Sequence, residues 1–144
     1  MSTGRDPAAS AVRQDTSSAR RKAARRPARR RAERWGRYAE AAAALALLVK
    51  GYRPVARRLK TPAGEIDIVA RRGRTLAIVE VKARATLDGA AFALGPRQQR
   101  RLARAAAVAA GRPALAGLDV RFDVVLVAPW RWPRHLKDAW RPAG

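Results

Sequence analysis

Asp67, Glu80 and Lys82 are the residues whose types and spacing best suit chemistry. They lie in Gly64 to Arg84, GEIDIVARRGRTLAIVEVKAR, where two apolar runs, Ile66–Ala70 and Leu76–Val81, flank the polar connection Arg71-Arg72-Gly73-Arg74. Short Ile- and Val-rich runs around a Gly-containing link predict two antiparallel strands. Side chains alternate along a strand, so Glu80 and Lys82 share a face, and Asp67 can lie near it from the neighbouring strand. Burying carboxylates costs several kcal/mol unless a cation or a hydrogen-bond network compensates them. A hard divalent cation such as Mg2+ would relieve the repulsion of two adjacent carboxylates and keep waters for a substrate phosphate. Lys82 would then orient an attacking water or neutralise developing charge. Two plainer arrangements fit the same spacing: a buried ion pair of Lys82 with Glu80 or Asp67, or an edge strand whose charges face water.

Asp67 followed by Glu80-Val81-Lys82 resembles the PD-(D/E)xK nuclease signature, with Glu65-Ile66-Asp67 in place of the Pro-Asp. With Gly51-Tyr52 before it and Arg121-Phe122-Asp123-Val124-Val125 after it, the string is similar to the uncharacterised YraN-like bacterial family. That family is related by fold to Holliday junction resolvases and restriction-endonuclease-like enzymes. The resemblance runs from about Trp35 to about Trp140. It implies an α/β fold, a restriction-endonuclease-like mixed central sheet flanked by helices. It also implies a metal-dependent endonuclease acting on DNA, with branched or recombination intermediates as substrates. Asp67 and Glu80 would hold Mg2+ or Mn2+, helped by the Val81 carbonyl, and Glu40 would be a helix-borne third acid beside Lys82. Gln98 matches a polar position near the site in related nucleases. At Arg58 the family usually has Asn, so any contact made by that Asn is altered here.

These residues need elements to position them. Trp35–Lys50 has apolar residues at helical spacing (Trp35, Tyr38, Ala42, Leu45, Val49), and Gly51 is placed to end the helix. Glu40 lies on this helix, where pairing with Arg37 or solvent exposure is the alternative to a site role. Tyr52–Leu59 reads as the first strand, at an edge or beginning after Pro54, because proline cannot donate to a ladder. Ala85–Gly95 is a small-residue loop expected to overhang the site. Arg97–Ala110 is a second helix with Leu102, Ala105, Ala106 and Ala109 inward, closed by Gly111 and Pro113. Its outer side carries Arg97, Arg100, Arg101 and Arg104 without acidic partners, which favours contact with phosphates. Asp119–Val127 is the last expected strand; in it Asp123 pairs with Arg121 or a neighbouring strand in preference to binding metal. Of the C-terminal residues, Trp130, Trp132 and Trp140 are expected to cover the sheet edge or pack a last helical turn, stacking on unpaired bases being the alternative. His135 is expected at the surface.

With 144 residues, one core of modest size is possible. Lys and Arg number 32 against 11 Asp and Glu, a formal net charge of +21, which calls for a polyanionic partner. Nucleic acid, DNA before RNA, is the leading candidate; an RNA- or ribosome-associated protein that cleaves neither is a further possibility. No run approaches the ~20 apolar residues of a membrane span. The absence of Cys excludes disulfides and thiolate zinc sites and fits a reducing bacterial cytoplasm, with nucleoid association possible. The first residues lack the apolar stretch of a secretion signal. Residues 1–34 hold eleven Arg and Lys against three acids, a net +8, and almost no large apolar side chains, leaving +13 for residues 35–144. That composition predicts a disordered basic tail, with helix propensity in Ala19–Arg34, ahead of the nuclease-like domain of residues 35–144. A two-fold homodimer would suit a four-way junction.

Overall fold

A computed structural model describes residues 7–88 and 94–143. By internal contacts the chain divides into two units, Met1–Gly36 and Arg37–Gly144. Helix α1 runs from Pro7 to Val49. From Arg20 to Arg34 every described side chain is exposed, with an Arg29–Glu33 pair of 3.5 Å on the surface. A helical stretch without a buried face rests on backbone propensity alone.

The second unit is α/β, as expected. After the end of α1 come β1 (Arg53–Thr61), β2 (Gly64–Arg72), β3 (Thr75–Ala83), α2 (Pro96–Ala110), a 3-10 turn (Pro113–Leu115), β4 (Asp119–Val127) and β5 (Arg134–Trp140). They form one five-stranded sheet in the order β1-β2-β3-β4-β5. Pairing is antiparallel except between β3 and β4, which run parallel with Lys82 beside Leu126. The parallel pair requires a crossover, and α2 lies within it. The strand with Pro54 is at the edge, as its missing N–H dictates, and the β1–β2 register shifts between Pro54 and Ala56.

One face of the sheet packs on α2. Ile66, Val69, Leu76, Ile78 and Phe122 meet Ala105, Ala106, Ala109 and Leu115 there, and Leu102 packs with Val124 and Leu126. The inward residues of α2 are those its sequence spacing indicates. The face expected for α1 is corrected. Its buried residues are Ala39, Ala43, Ala46 and Leu47, whereas Tyr38, Leu45 and Val49 are exposed. Both sets recur at helical spacing in an Ala-rich run, so periodicity alone could not choose between them. Gly51, at φ +89, closes α1: its N–H donates to the Leu48 carbonyl, and the Tyr52 N–H donates to the Leu47 carbonyl, both at 3.0 Å.

The C-terminal expectations are corrected too. Arg134–Trp140 is a fifth strand, and the His135 side chain is only 3% exposed. Trp140 packs on Phe122 with ring centroids 4.1 Å apart, but Trp130 and Trp132 are exposed. The centre of the expected Ala85–Gly95 overhang, residues 89–93, lies outside the described residues. Among those described, no helix is long and apolar enough to cross a membrane.

Candidate active site

The sheet brings Asp67 and Glu80 together. The β2–β3 ladder runs from Arg72 opposite Thr75 to Ile68 opposite Val79, so the next opposed positions are Asp67 and Glu80. Beyond that point the Val81 N–H donates to Asp67 Oδ2 at 2.8 Å, a side chain taking the place of the ladder carbonyl. Their carboxyls lie close enough to act on each other's ionisation. Burial, then the charge of Glu80, pushes Asp67 up from 3.8 to about 7, against the pull of the Val81 N–H; Glu40 adds a smaller push in the same direction. At neutral pH Asp67 is therefore poised between its protonated and ionised forms, as a carboxyl held beside a second acid is.

Glu80 is buried and anchored from two sides. Lys82, two residues on and so on the same face, brings Nζ to 3.2 Å from Glu80 Oε1. Gln98, in the first turn of α2, donates from Nε2 to the same oxygen at 3.0 Å. The α2 layer thus reaches the carboxylate pair directly, and Gln98 joins Lys82 as a contact of Glu80. Glu40 comes from α1 and accepts from Arg58 Nε. Arg58 sits at φ +51, a left-handed conformation that Asn adopts more readily than Arg. Here its guanidinium covers Glu40. Among the described residues no group of three or more Asp, Glu, His or Cys is disposed to hold a metal, so Asp67 and Glu80 stand as a two-acid set with Glu40 tied to Arg58.

The α2 arginines divide. Arg97, Arg100 and Arg104 are exposed. Arg101 turns inward over Gly64 and donates from Nη1 to the Glu65 carbonyl at 3.2 Å, so it braces the start of β2.

A second polar cluster lies on the other face of the sheet. Residues Phe122 and Val124 of β4 face α2, so Asp123 between them faces away. It is fully buried and accepts from Arg121 Nε at 2.8 Å and Nη2 at 2.7 Å, with His135 Nε2 at 2.7 Å and the Asp138 N–H at 3.0 Å. Burial opposes its ionisation, but Arg121, His135 and the Asp138 N–H outweigh that and hold the carboxyl down to about 2. Arg121 also donates to the Tyr52 hydroxyl at 2.6 Å, and Lys50 Nζ lies 2.7 Å from His135 Nδ1. The cluster ties the end of α1 to β4 and β5. Arg121 two residues before Asp123 is its one local signal in the sequence; Lys50, Tyr52 and His135 are too distant along the chain to be linked to it by spacing.

Comparison with known proteins places this framework in a family. The model of the uncharacterised protein family UPF0102 matches residues 39–127, from Glu40's helix to the end of β4. A UPF0102 protein of Parvibaculum lavamentivorans is 70% identical over 112 residues, 77% of this chain and 84% of that protein. UPF0102 proteins of Paramagnetospirillum magneticum and Sinorhizobium fredii are each 57% identical. These alignments cover 76% of this chain in both cases and 89% and 90% of the respective relatives. The chain belongs to the UPF0102 family.

Proposed function

We propose that this protein is a metal-dependent phosphodiesterase that cuts DNA, with the Asp67–Glu80 pair as its centre. One observation carries the reading. Two carboxyls occupy adjoining positions of β2 and β3, and Asp67, raised to about 7, has no cation of its own among the described residues of a chain with 32 basic residues. A bound divalent cation, Mg2+ or Mn2+, would supply Lewis-acid polarisation of a phosphate oxygen there. The donor chemistry suits it, since hard carboxylate oxygens, one of them on an acid that gives up its proton near neutral pH, are what such a cation binds. Lys82 is placed to orient a water beside Glu80 and to offset charge developing on phosphorus-bound oxygens. Gln98 keeps Glu80 turned toward Asp67, and Arg97, Arg100 and Arg104 offer cations to the strand's phosphates. Branched DNA is the substrate that the resemblance to resolvases suggests.

The Lys82–Glu80 ion pair at 3.2 Å favours a second reading, in which the internal cation satisfies the acid and the basic faces only bind nucleic acid. Incubation of the chain and its Lys82→Ala variant with duplex, single-stranded, flap and four-way-junction DNA and with RNA, in Mg2+ or Mn2+ at fixed salt, separates the two. Cleavage by the parent, lost in the variant while binding persists, supports the phosphodiesterase. Binding by both without cleavage by either supports the non-catalytic reading.

A further inference from the structure

Trp130 and Trp132 sit in the sequence PWRWP between β4 and β5 and do not pack into the core. The Trp130 side chain is 101% exposed and Trp132 is 59% exposed. Trp130 also has a left-handed backbone, φ +59, which is uncommon for a bulky residue and costs free energy without a return in burial. A groove of about 410 Å3 opens beside them, lined also by Tyr38 and Leu45 of α1 and by Pro133. Among the described residues, Arg131 between the two tryptophans is the only charged one lining it.

The groove lies at the same end of the sheet as the carboxylate pair. Lys82 and Ala83 pair with Leu126 and Val127 at the carboxyl ends of the parallel strands β3 and β4, and the PWRWP turn follows two residues later. Helix α1 runs toward the opposite end, where β1 begins, so Tyr38, two residues from Glu40, belongs to this end as well. We propose that this groove is a stacking subsite for unpaired bases of a nucleic-acid strand whose backbone lies across the basic surface. The inference rests on the nucleic-acid reading above and adds to it a preference for strands with unpaired bases. Flat aromatic faces with a guanidinium between them suit the π-faces of bases, whatever their sequence. A duplex keeps those faces stacked on one another and presents only its phosphates. The net charge of +21 and the lining arginine favour a polyanion over an acid-poor protein surface as occupant.

The test compares binding, without divalent cations, of the full chain to a labelled strand of about 16 nucleotides and to an abasic strand with the same number of phosphates. The base-bearing strand is expected to bind roughly tenfold more tightly, the scale of one stacked base. Trp130→Ala with Trp132→Ala should bring it down to the abasic level without changing abasic affinity, and the corresponding Phe variants should retain most of the preference. Both side chains are exposed, so the Ala variants have no core to lose. Equal binding of the two strands by the parent, or undiminished preference in the double variant, would overturn the stacking subsite while leaving nucleic-acid binding intact. Failure of the parent to bind either strand would overturn both. Should the double variant convert a dimer to a monomer with strand affinity unchanged, the groove belongs to a second copy of this chain and the proposal falls.

Discussion

Replacing Asp67 with asparagine should stabilise the protein at neutral pH, although it removes the residue most central to the candidate site. The amide keeps an oxygen for the Val81 N–H and gains a donor for Glu80, so both contacts of Asp67 survive. The carboxyl titrates at about 7 in the folded chain against 3.8 ordinarily, so the folded state holds a proton that the unfolded state has released. A raised carboxyl destabilises progressively as pH rises from about 4 to about 7, and fully above that. The whole shift corresponds to on the order of 4 kcal/mol. Solvent reaches Asp67 and screens part of this, so a gain of about 1–3 kcal/mol is expected. Urea unfolding of the parent and the Asp67→Asn variant from pH 4 to pH 8 measures it. The gain should be near zero at pH 4 and largest at pH 8. Millimolar Mg2+ or Mn2+ should raise the parent's stability at pH 8 and leave the variant unchanged. A variant less stable than the parent at pH 8, or a gain of the same size at every pH, would refute the account of a strained carboxyl pair.

Other positions give independent checks. Asp123→Asn should cost about 2–3 kcal/mol, because the partly buried Arg121 would lose its fully buried counterion; thermal unfolding at pH 7 reads it directly. The low titration of Asp123, about 2 in the folded chain, contributes stability that is complete above about pH 4 and fades as pH falls toward 2, so the variant should flatten the acid limb of a stability profile. Gly64→Ala should lose about 1–3 kcal/mol by denaturant unfolding, since φ is +140 there; the Arg101 side chain above it can move aside, but the backbone cannot. Leu47→Ala removes a buried side chain where α1 ends and should cost about 2–4 kcal/mol in the same assay.

Features set by short-range rules are legible in the sequence. The central hairpin, the inward face of α2, the edge position of β1 and the end of α1 at Gly51 each follow from alternation, helical spacing, a missing proline N–H or a positive φ. The juxtaposition of Asp67 and Glu80 is legible as one arrangement among several, and the strand register makes it specific. What escapes depends on tertiary context. In α1 the apolar residues Tyr38, Leu45 and Val49 outweigh the alanines in any periodicity count, yet Ala39, Ala43 and Ala46 are the ones buried. Strand β5, RHLKDAW, has no β-branched residue and is interrupted by an irregularity at Asp138, φ +50. Asp123 compensates by accepting the Asp138 N–H, a contact between residues fifteen apart.

The two faces of the sheet solve the same electrostatic problem in different ways. On one, Asp123 is buried and surrounded by Arg121, His135 and a backbone N–H, and its carboxyl is held below the ordinary range. On the other, Asp67 is pressed against Glu80, and its carboxyl is held above that range. The chain does not lack cations for the second site. Lys82 reaches Glu80, Arg58 turns to Glu40, and Arg101 bends to a backbone carbonyl. Free energy for folding alone would favour an arginine against Asp67, as against Asp123, or an apolar residue in its place. Retaining Asp67 without a cation of its own, next to a Glu80 that takes the lysine, costs stability, and sites that trade stability for reactivity are the usual setting for such a cost. The reading of this end of the sheet as a metal-binding catalytic centre therefore rests on a contrast within one molecule, with Asp123 as the internal control.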